Sequence, residues 1–595
     1  MILVSLITKW RGSHVGSRSG DRSRLRQWFP GVGMLRSYER AWVRDDVVAG
    51  CVLVALLVPQ GMAYAQLAGM PAVAGIYATM VPMAVYALIG PSRLLVMGPD
   101  SAVSPLVAAA VLAVAATGSA QALALGGVLA VGAGVVCVAA GVARAGFVTE
   151  LFSRPVRIGY LNGLALTILV GQVPRLLGGS TDSHTLVGEL RSVATAMGGI
   201  DWASFALGIS ALMLILGMRR WWPRFPGILV AVAVSTLAVS VFELSVPVVG
   251  QLPSGLPAPA LPHPGTVGLT ELAAASVAIA FIAFTDTSVL SRSYAGRIGE
   301  NVDQNRELVA LGTVNIAAGL FQGFPVSSSA SRTAVAETAG ARTQAAGLVA
   351  TALMAFTLAA AGGITRNLPE AALAAVVVSA ALALFDVHGM IRLARIRRSE
   401  FGLCVACFAG VAVFGVLIGI FAAIGLSLLD FFRRQWRPHD AVLGRVPGRK
   451  GYHDTARHPE ARQIPGLLLY RFDSPLFFAN SDHFRDHVHA LVSQADAPVR
   501  WVVIAAEPIT DIDTTAGDTI MALDKELDAV GIQLAFAELK GPVRDRLGDY
   551  GALHQLEPNR FFPTIGTAVR GYVAATGVEW VDWNHGTSDN ALLDP

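Results

Sequence analysis

Gly323-Phe324-Pro325-Val326-Ser327-Ser328-Ser329-Ala330-Ser331-Arg332 opens an apolar run, 328–338, that is too short to cross a bilayer alone. A spanning helix needs about 20 residues for a hydrocarbon core of roughly 30 Å. A second stretch of the same kind decides how the first is read. Gly98-Pro99-Asp100-Ser101 opens the run 101–116, again short and again begun by Pro and Ser. Each short run follows a long one with a polar interruption: Pro59-Gln60-Gly61 within 47–67, and Asp286 within 270–291. Ser101 lies 41 residues after Gln60, and Ser328 lies 42 after Asp286. Interrupted segments at matching places in two halves are the sequence mark of a duplicated membrane carrier with its site between the halves.

The composition agrees. Of 595 residues, 53% are hydrophobic and 15% charged, and the mean hydropathy is +0.55. A soluble chain carries about 25% charge. The apolar residues fall into fourteen segments, at 47–67, 71–89, 101–116, 121–142, 155–177, 202–218, 226–243, 270–291, 307–322, 328–338, 344–362, 370–385, 402–416 and 417–431. The intervening charges orient them. Loops after even-numbered segments are basic, with Arg93, Arg144, Arg154, Arg157, Arg219, Arg220, Arg292, Arg342 and Arg392 among them, whereas 242–270 has no Lys or Arg. Cytoplasmic loops carry the excess of Lys and Arg, so both termini are expected in the cytoplasm. Seven segments per half is odd, so the second half is inverted relative to the first. Residues 1–46 read as a basic cytoplasmic arm, 47–431 as the membrane domain and 432–462 as a linker. Residues 463–585 read as a soluble domain and 586–595 as a tail.

In the soluble part, Gly466–Phe472, Trp501–Ala506 and Ile532–Ala537 read as buried strands. They alternate with helices at Asp482–Ser493 and Asp513–Ala529, the pattern of a small α/β domain. Cys51, Cys137, Cys404 and Cys407 all lie in apolar runs, so Cys404-x-x-Cys407 reads as packing and no disulfide framework is implied. No metal-spaced histidine cluster, catalytic triad or phosphate loop is present, which argues against an enzyme and against a cofactor. The net charge of +3 follows topology and indicates no nucleic-acid partner.

Three constellations carry the chemistry. The starts of the two short helices, Asp100–Ser104 and Ser327–Ser331, offer unpaired N–H groups and a partial positive charge. Facing each other, they would form an anion site. Ser328, Ser329, Ser331 and Arg332 would add donors, the alternative being a serine-rich cap that only packs. Asp100 would repel an anion if it faced the site, and the helix cap is its favoured role. Asp286 is a carboxylate in mid-span, where a charge is costly and usually functional. It is the candidate proton carrier, against a purely structural pairing with Arg332. Glu337 reads as interfacial. Gln60 and Tyr64, four apart, share a helix face and can both hydrogen-bond an oxyanion.

These residues resemble a known family. Asp45-Asp46-Val-Val-Ala-Gly50, Val58 through Thr79, Pro91-Ser92-Arg93, Gly98 through Ala102, Gly323 through Val335, Ala339 through Gln344 and Leu368 through Ala375 are similar, in order, to the signatures of the sulfate permease (SulP) family. Its members are bacterial relatives of solute carrier family 26. The resemblance implies an all-α membrane fold of fourteen segments in a 7+7 inverted repeat, with core and gate domains in an elevator mechanism. It implies an anion site at Gln60, Tyr64, Ser101, Ala102, Ser328, Ser329, Ser331 and Arg332, with Asp286 beside it. It also implies a C-terminal cytoplasmic α/β STAS domain, a homodimer, and the bacterial inner membrane.

Sodium-coupled members carry a hydroxyl four residues after the segment-eight carboxylate. Leu290 stands there, which favours protons. Thr515, in Asp511-Ile-Asp513-Thr-Thr515-Ala-Gly517, occupies a phosphoacceptor-like position, although an ordinary helix N-cap is the favoured reading. The expected partners are a small inorganic or carboxylic anion, protons, the lipid bilayer, and a cytoplasmic protein or nucleotide at the STAS domain. Proton-coupled sulfate symport leads. Bicarbonate or C4-dicarboxylate transport, anion exchange, and a membrane sensor or scaffold acting through the STAS domain are the alternatives.

Overall fold

The computed structural model describes residues 31, 38–147, 153–179, 186–222, 226–251, 255–265, 267–297, 302–360, 365–556 and 558–580. Most of the basic arm and all of the tail 586–595 lie outside the described residues. The chain divides into two compact units, Met1–Ser427 and Leu428–Pro595.

The first unit is helical. Its first half holds α1 (Val43–Leu67), α2 (Ala72–Ile89), α3 (Ser104–Val111), α4 (Ala120–Val142), α5 (Arg154–Leu176), α6 (Leu186–Ala196), α7 (Trp202–Trp221) and α8 (Gly227–Phe242). Its second half holds α9 (Leu269–Arg297), α10 (Gln304–Leu320), α11 (Ala330–Thr338), α12 (Ala345–Ala360), α13 (Glu370–Leu384), α14 (Val387–Ile396) and α15 (Arg398–Phe414). α16 (Val416–Trp436) follows and runs across the division between the units. Setting aside the connecting helices α6 and α14, these are the fourteen segments of an inverted-repeat carrier. Among the described residues, seven spans drawn from both halves are long and apolar enough to cross a membrane by length and composition. The short third and tenth segments are the half-helices α3 and α11, each preceded by a two-residue strand, β1 (Met97–Gly98) and β2 (Ser327–Ser328).

The helices pack in two groups. α1–α4 contact α9–α12, and α5, α7 and α8 contact α13 and α15. Small residues let backbones approach where no hydrophobic force drives helices together in lipid. On α4, Gly127 and Gly134 recur every seven residues and face Gly319 and Gly312 of α10. A Cβ on Gly312 would lie 2.5 Å from the Gly134 carbonyl oxygen. Within the second group, a Cβ on Gly163 of α5 would lie 2.9 Å from the Phe408 carbonyl oxygen of α15. Cys404 and Cys407 are buried free thiols on α15, packed against Gly159.

The second unit is an α/β domain. A six-stranded sheet runs in the order β4-β3-β5-β6-β7-β8, built from β3 (Asp440–Arg445), β4 (Tyr452–Asp454), β5 (Leu467–Phe472), β6 (Trp501–Ala505), β7 (Gln533–Ala537) and β8 (Phe561–Phe562). β5 to β8 are parallel, and β3 is antiparallel to both of its neighbours. β5 to β7 are apolar on both faces, as parallel strands buried on both sides must be. One face packs on α17 (Ser481–Ser493) and α18 (Thr514–Asp528), the other on the helix Ile565–Thr576. Residues 432–462, expected as a linker, contain β3 and β4. Their prolines and alternating polar residues disguise two short strands at the antiparallel end of the sheet.

Replacing Gly312 by Val should overpack the α4–α10 contact and cost about 1–3 kcal/mol. It should lower the melting temperature of the detergent-purified protein. Gly402→Ala, where nothing lies within 4 Å, should leave it unchanged or slightly raised.

Candidate functional site

β1 and β2 pair antiparallel, with Met97 opposite Ser328 and Gly98 opposite Ser327. This brings the starts of α3 and α11 together inside the first helix group. Neighbouring side chains hold the pair in place. Asn315 of α10 donates to the Val326 carbonyl (3.1 Å) and accepts from the Val326 N–H (2.9 Å). The Thr287 hydroxyl accepts from the Ser328 N–H (3.3 Å). Thr333 accepts from the Val96 N–H (3.1 Å), and the Val96 carbonyl accepts from Ser329 (3.2 Å).

In front of the pair lies a cavity of about 600 Å³. Gln60, Tyr64, Asp100, Ser101, Ala102, Asp286, Ser328, Ser329 and Ser331 all line it. They come from α1, the approach to α3, α9, and the start of α11, so the four polar interruptions of the sequence meet at one place. Two polar atoms here, Gln60 Oε1 and Ser328 Oγ, are buried without a hydrogen-bond partner. Buried polar atoms are normally paired, so this wall is built to receive a polar group. The first turn of α11 starts at Ser329 and has no preceding turn to use its N–H groups.

Arg332 does not line the cavity. Its side chain lies behind the β1–β2 pair, fully buried. Nη2 donates to the Gly98 carbonyl (3.2 Å) and stands 3.8 Å from the Asp100 carboxylate. Nε and Nη1 have no acceptor. A Cβ on Gly98 would sit 2.7 Å from Nη1, so only glycine leaves room for the guanidinium. Asp286 is not its partner; Asp100 is. Asp100 also accepts from the Ala102 N–H (3.2 Å), so one carboxylate caps the approach to α3 and faces the cavity as well.

Two lining cations were missed from sequence. Arg157 at the start of α5 and Arg219 at the end of α7 reach the cavity, having been read only as loop charges that set topology. Leu290, Ser293 and Leu384 line it too. All five stand toward the basic ends of their segments, so the cavity opens on the side of the basic loops. Thr515 belongs to the second unit and is exposed in the first turn of α18. It is not the N-cap. Asp513 is, accepting from Ala516 at 2.8 Å.

Paired half-helices on an inverted repeat, facing a central polar cavity, define a secondary-transporter fold with a soluble α/β domain appended. Comparison with known proteins assigns the family. The sulfate permease family model matches residues 43–407 and the STAS domain model residues 458–568. A probable sulfate transporter of Mycobacterium tuberculosis is 43% identical over 549 residues, covering 92% of this chain and 98% of that protein. The chloroplastic sulfate transporter 4.1 of Arabidopsis thaliana is 29% identical over 585 residues, 94% and 85% of the two chains.

Among solved structures, murine solute carrier 26 family member A9, an anion transporter in its inward-facing state, superposes with a TM-score of 0.86. It is 20% identical and covers 96% of this chain and 98% of that one. The transmembrane domain of the cyanobacterial bicarbonate transporter BicA gives 0.57 at 19% identity, covering 66% and 98%. This chain belongs to the sulfate permease family, a family of transporters and not of enzymes, and it carries a C-terminal STAS domain.

Arg332→Gln keeps a donor for the Gly98 carbonyl and removes the charge. It should weaken binding of inorganic oxyanions about tenfold, close to 1.4 kcal/mol. Thermal-shift titration of the purified protein checks this, and an unchanged midpoint would limit Arg332 to packing.

Proposed function

We propose that this protein is a secondary active transporter of sulfate or a similar small oxyanion, coupled to protons and working by elevator-type alternating access. The observation that carries the proposal is the cavity at the two half-helix starts, where orphaned polar atoms and a carboxylate share one wall. Anions leaving water lose solvation worth tens of kcal/mol. Helix N-termini, serine hydroxyls and Gln60 can replace part of it. Arg157 and Arg219 on the lining and Arg332 behind it set three guanidinium groups against the carboxylates Asp100 and Asp286. If Asp286 takes up a proton, three cations face one carboxylate, which suits a doubly charged anion. A proton and a dianion thus support each other's entry. Leu290, where sodium-coupled members carry a hydroxyl, favours protons as the coupling ion.

The names of the relatives point to sulfate as the first substrate to test. The bicarbonate transporter among the structural neighbours makes bicarbonate the second. The helix groups α1–α4 with α9–α12 and α5, α7, α8 with α13 and α15 would be the moving core and the gate. The cavity opening toward the basic loops corresponds to access from the cytoplasm of a bacterial inner membrane. Movement of one charge against 100 mV costs about 2.3 kcal/mol, so an anion entering a cell negative inside needs co-moving protons.

Radiolabelled sulfate uptake into proteoliposomes tests the proposal. An imposed inward proton gradient should raise initial uptake several-fold over matched pH, and Asp286→Asn should abolish the stimulation while leaving sulfate binding within about threefold. Uptake indifferent to the gradient would remove proton coupling. Exclusion of sulfate with saturable bicarbonate uptake would reassign the substrate.

A further inference from the structure

His483 and His487 stand one turn apart on α17, with rings stacked at 5.8 Å and an interplanar angle of 17°. Residues at i and i+4 share a helix face, and here that face meets the start of β3. The Asp440 carboxylate is in direct contact with His487 Nδ1. One ligand atom from each of Asp440, His483 and His487 lies within 4.8 Å of the other two. All three side chains are half-buried. The Tyr470 phenol donates to Asp440 Oδ2 at 2.5 Å and sets its ring edge-on to His487. Burial, and then the Asp440 carboxylate beside it, push the Tyr470 phenol above its ordinary value. Asp440 Oδ2 thus already holds the phenol on one side and the His487 ring on the other.

We propose that Asp440, His483 and His487 form a transition-metal site in the C-terminal domain, taking zinc or a cation of the same class. Two imidazoles and a carboxylate are the donor set of three-ligand zinc sites, whose fourth position stays open to water or another ligand. Tetrahedral bonds of about 2.0–2.2 Å place the ligand atoms about 3.3–3.5 Å apart, so small side-chain rotations suffice. Metal would replace the proton between His487 and Asp440 and give His483 a role. Without it, the described contacts of His483 are limited to its stacking on His487. A tyrosine holding a ligating carboxylate is the outer-shell arrangement that orients such ligands.

The adjoining pocket around His439, His453 and His458 is a different environment. Arg457 and Arg471 line it, and His439 and Arg471 both bind Asp473, at 3.0 and 2.7 Å. Asp454, its other carboxylate, stands 3.7 Å from His439 and 4.0 Å from Arg457, so both carboxylates already face cationic side chains and the arginines repel a metal.

The test uses the full-length protein in detergent, stripped with EDTA and with any histidine tag removed. Zinc is titrated in competition with a chromophoric chelator, and cobalt is titrated while its visible absorption is followed. Wild type should bind one zinc with the intense bands of tetrahedral cobalt. His483→Gln and His487→Gln should each weaken binding at least about tenfold and abolish those bands, and Tyr470→Phe should weaken it about 10–100-fold. His453→Gln should change nothing. Affinity should be lower in acid than at neutral pH, because protons compete with the metal for its ligands. His483→Gln removes only a stacking contact, so a folded variant is expected, and its melting curve verifies this. No zinc bound by the wild type, or zinc bound equally well by His483→Gln, overturns the proposal. In either case a tyrosine–aspartate–histidine hydrogen-bonded cluster is what remains.

Discussion

Backbone in the middle of a membrane can hydrogen-bond only to protein, and every feature of the cavity follows from how Met97, Gly98, Ser327 and Ser328 meet that demand. Each buried N–H or C=O left unmet there costs several kcal/mol. A helix avoids the cost by internal bonding, but a broken helix cannot. The two breaks solve the problem jointly, as a minimal antiparallel ribbon, and Asn315, Thr287 and Thr333 supply what the ribbon lacks. The gain is that two helix starts are presented side by side. At α11 the first-turn N–H groups have no preceding turn to bond to, whereas at α3 Asp100 takes those of Ala102 and Ser104.

The ribbon also settles where the central cation can go. Gly98 leaves the space that Arg332 fills, and the guanidinium is held by a backbone carbonyl and a carboxylate at 3.8 Å. Two of its donor nitrogens remain without acceptors. Such a group is costly to bury, and the cost falls when a negative charge enters the neighbouring cavity. Asp100 moderates this. It supplies a counter-charge and an N-terminal cap, so the empty site is not left with an uncompensated cation. In the proposed mechanism Asp100 tunes the resting charge, and Asp286, which has no such partner in Arg332, is free to carry a proton.

Much of this was legible in the sequence because the breaks are written in residues with unambiguous chemistry. Pro99, Pro325 and the serine run mark breaks ahead of helix starts, whereas Pro59, read as a break too, lies inside the continuous helix α1. The nearly equal offsets of Gln60 to Ser101 and Asp286 to Ser328, 41 and 42 residues, disclosed which breaks belong together. The pairing of charges was less legible. Arg332 and Asp286 are opposite charges at the two interruptions of the second half and so suggest a pair, yet the ribbon's geometry turns Arg332 toward Asp100. Arg157 and Arg219 were hidden for another reason. An arginine at a helix end serves orientation in every membrane protein, and only packing reveals that these two also face a cavity. β3 and β4 escaped because strands of six and three residues with polar positions and nearby prolines give no period long enough to read. Thr515 was assigned to a cap that Asp513, two residues earlier, occupies.

How the two helix groups could slide follows from what joins them. Tyr160 of α5 donates to the Ala102 carbonyl at 3.1 Å, and Arg175 at the far end of α5 donates to the Gln66 carbonyl at 3.2 Å. Both ties end on backbone oxygens, not on a particular side chain. Each contributes about 0.5–1.5 kcal/mol, and carbonyls recur along a helix every 5.4 Å turn. A donor moving along such a surface can exchange one acceptor for the next with little net loss. A further contact between the groups, α1 against α8 and α13, joins helices rich in apolar residues, and apolar contact is non-directional. Within each group the joints are the opposite. Backbones meet at glycines with contacts near 2.5–2.9 Å for any added Cβ, and packing of that closeness does not slide. Rigid groups joined by exchangeable contacts are the mechanical condition for elevator movement. The placement of glycine and the choice of carbonyls as acceptors are what would serve the proposed elevator movement in this chain.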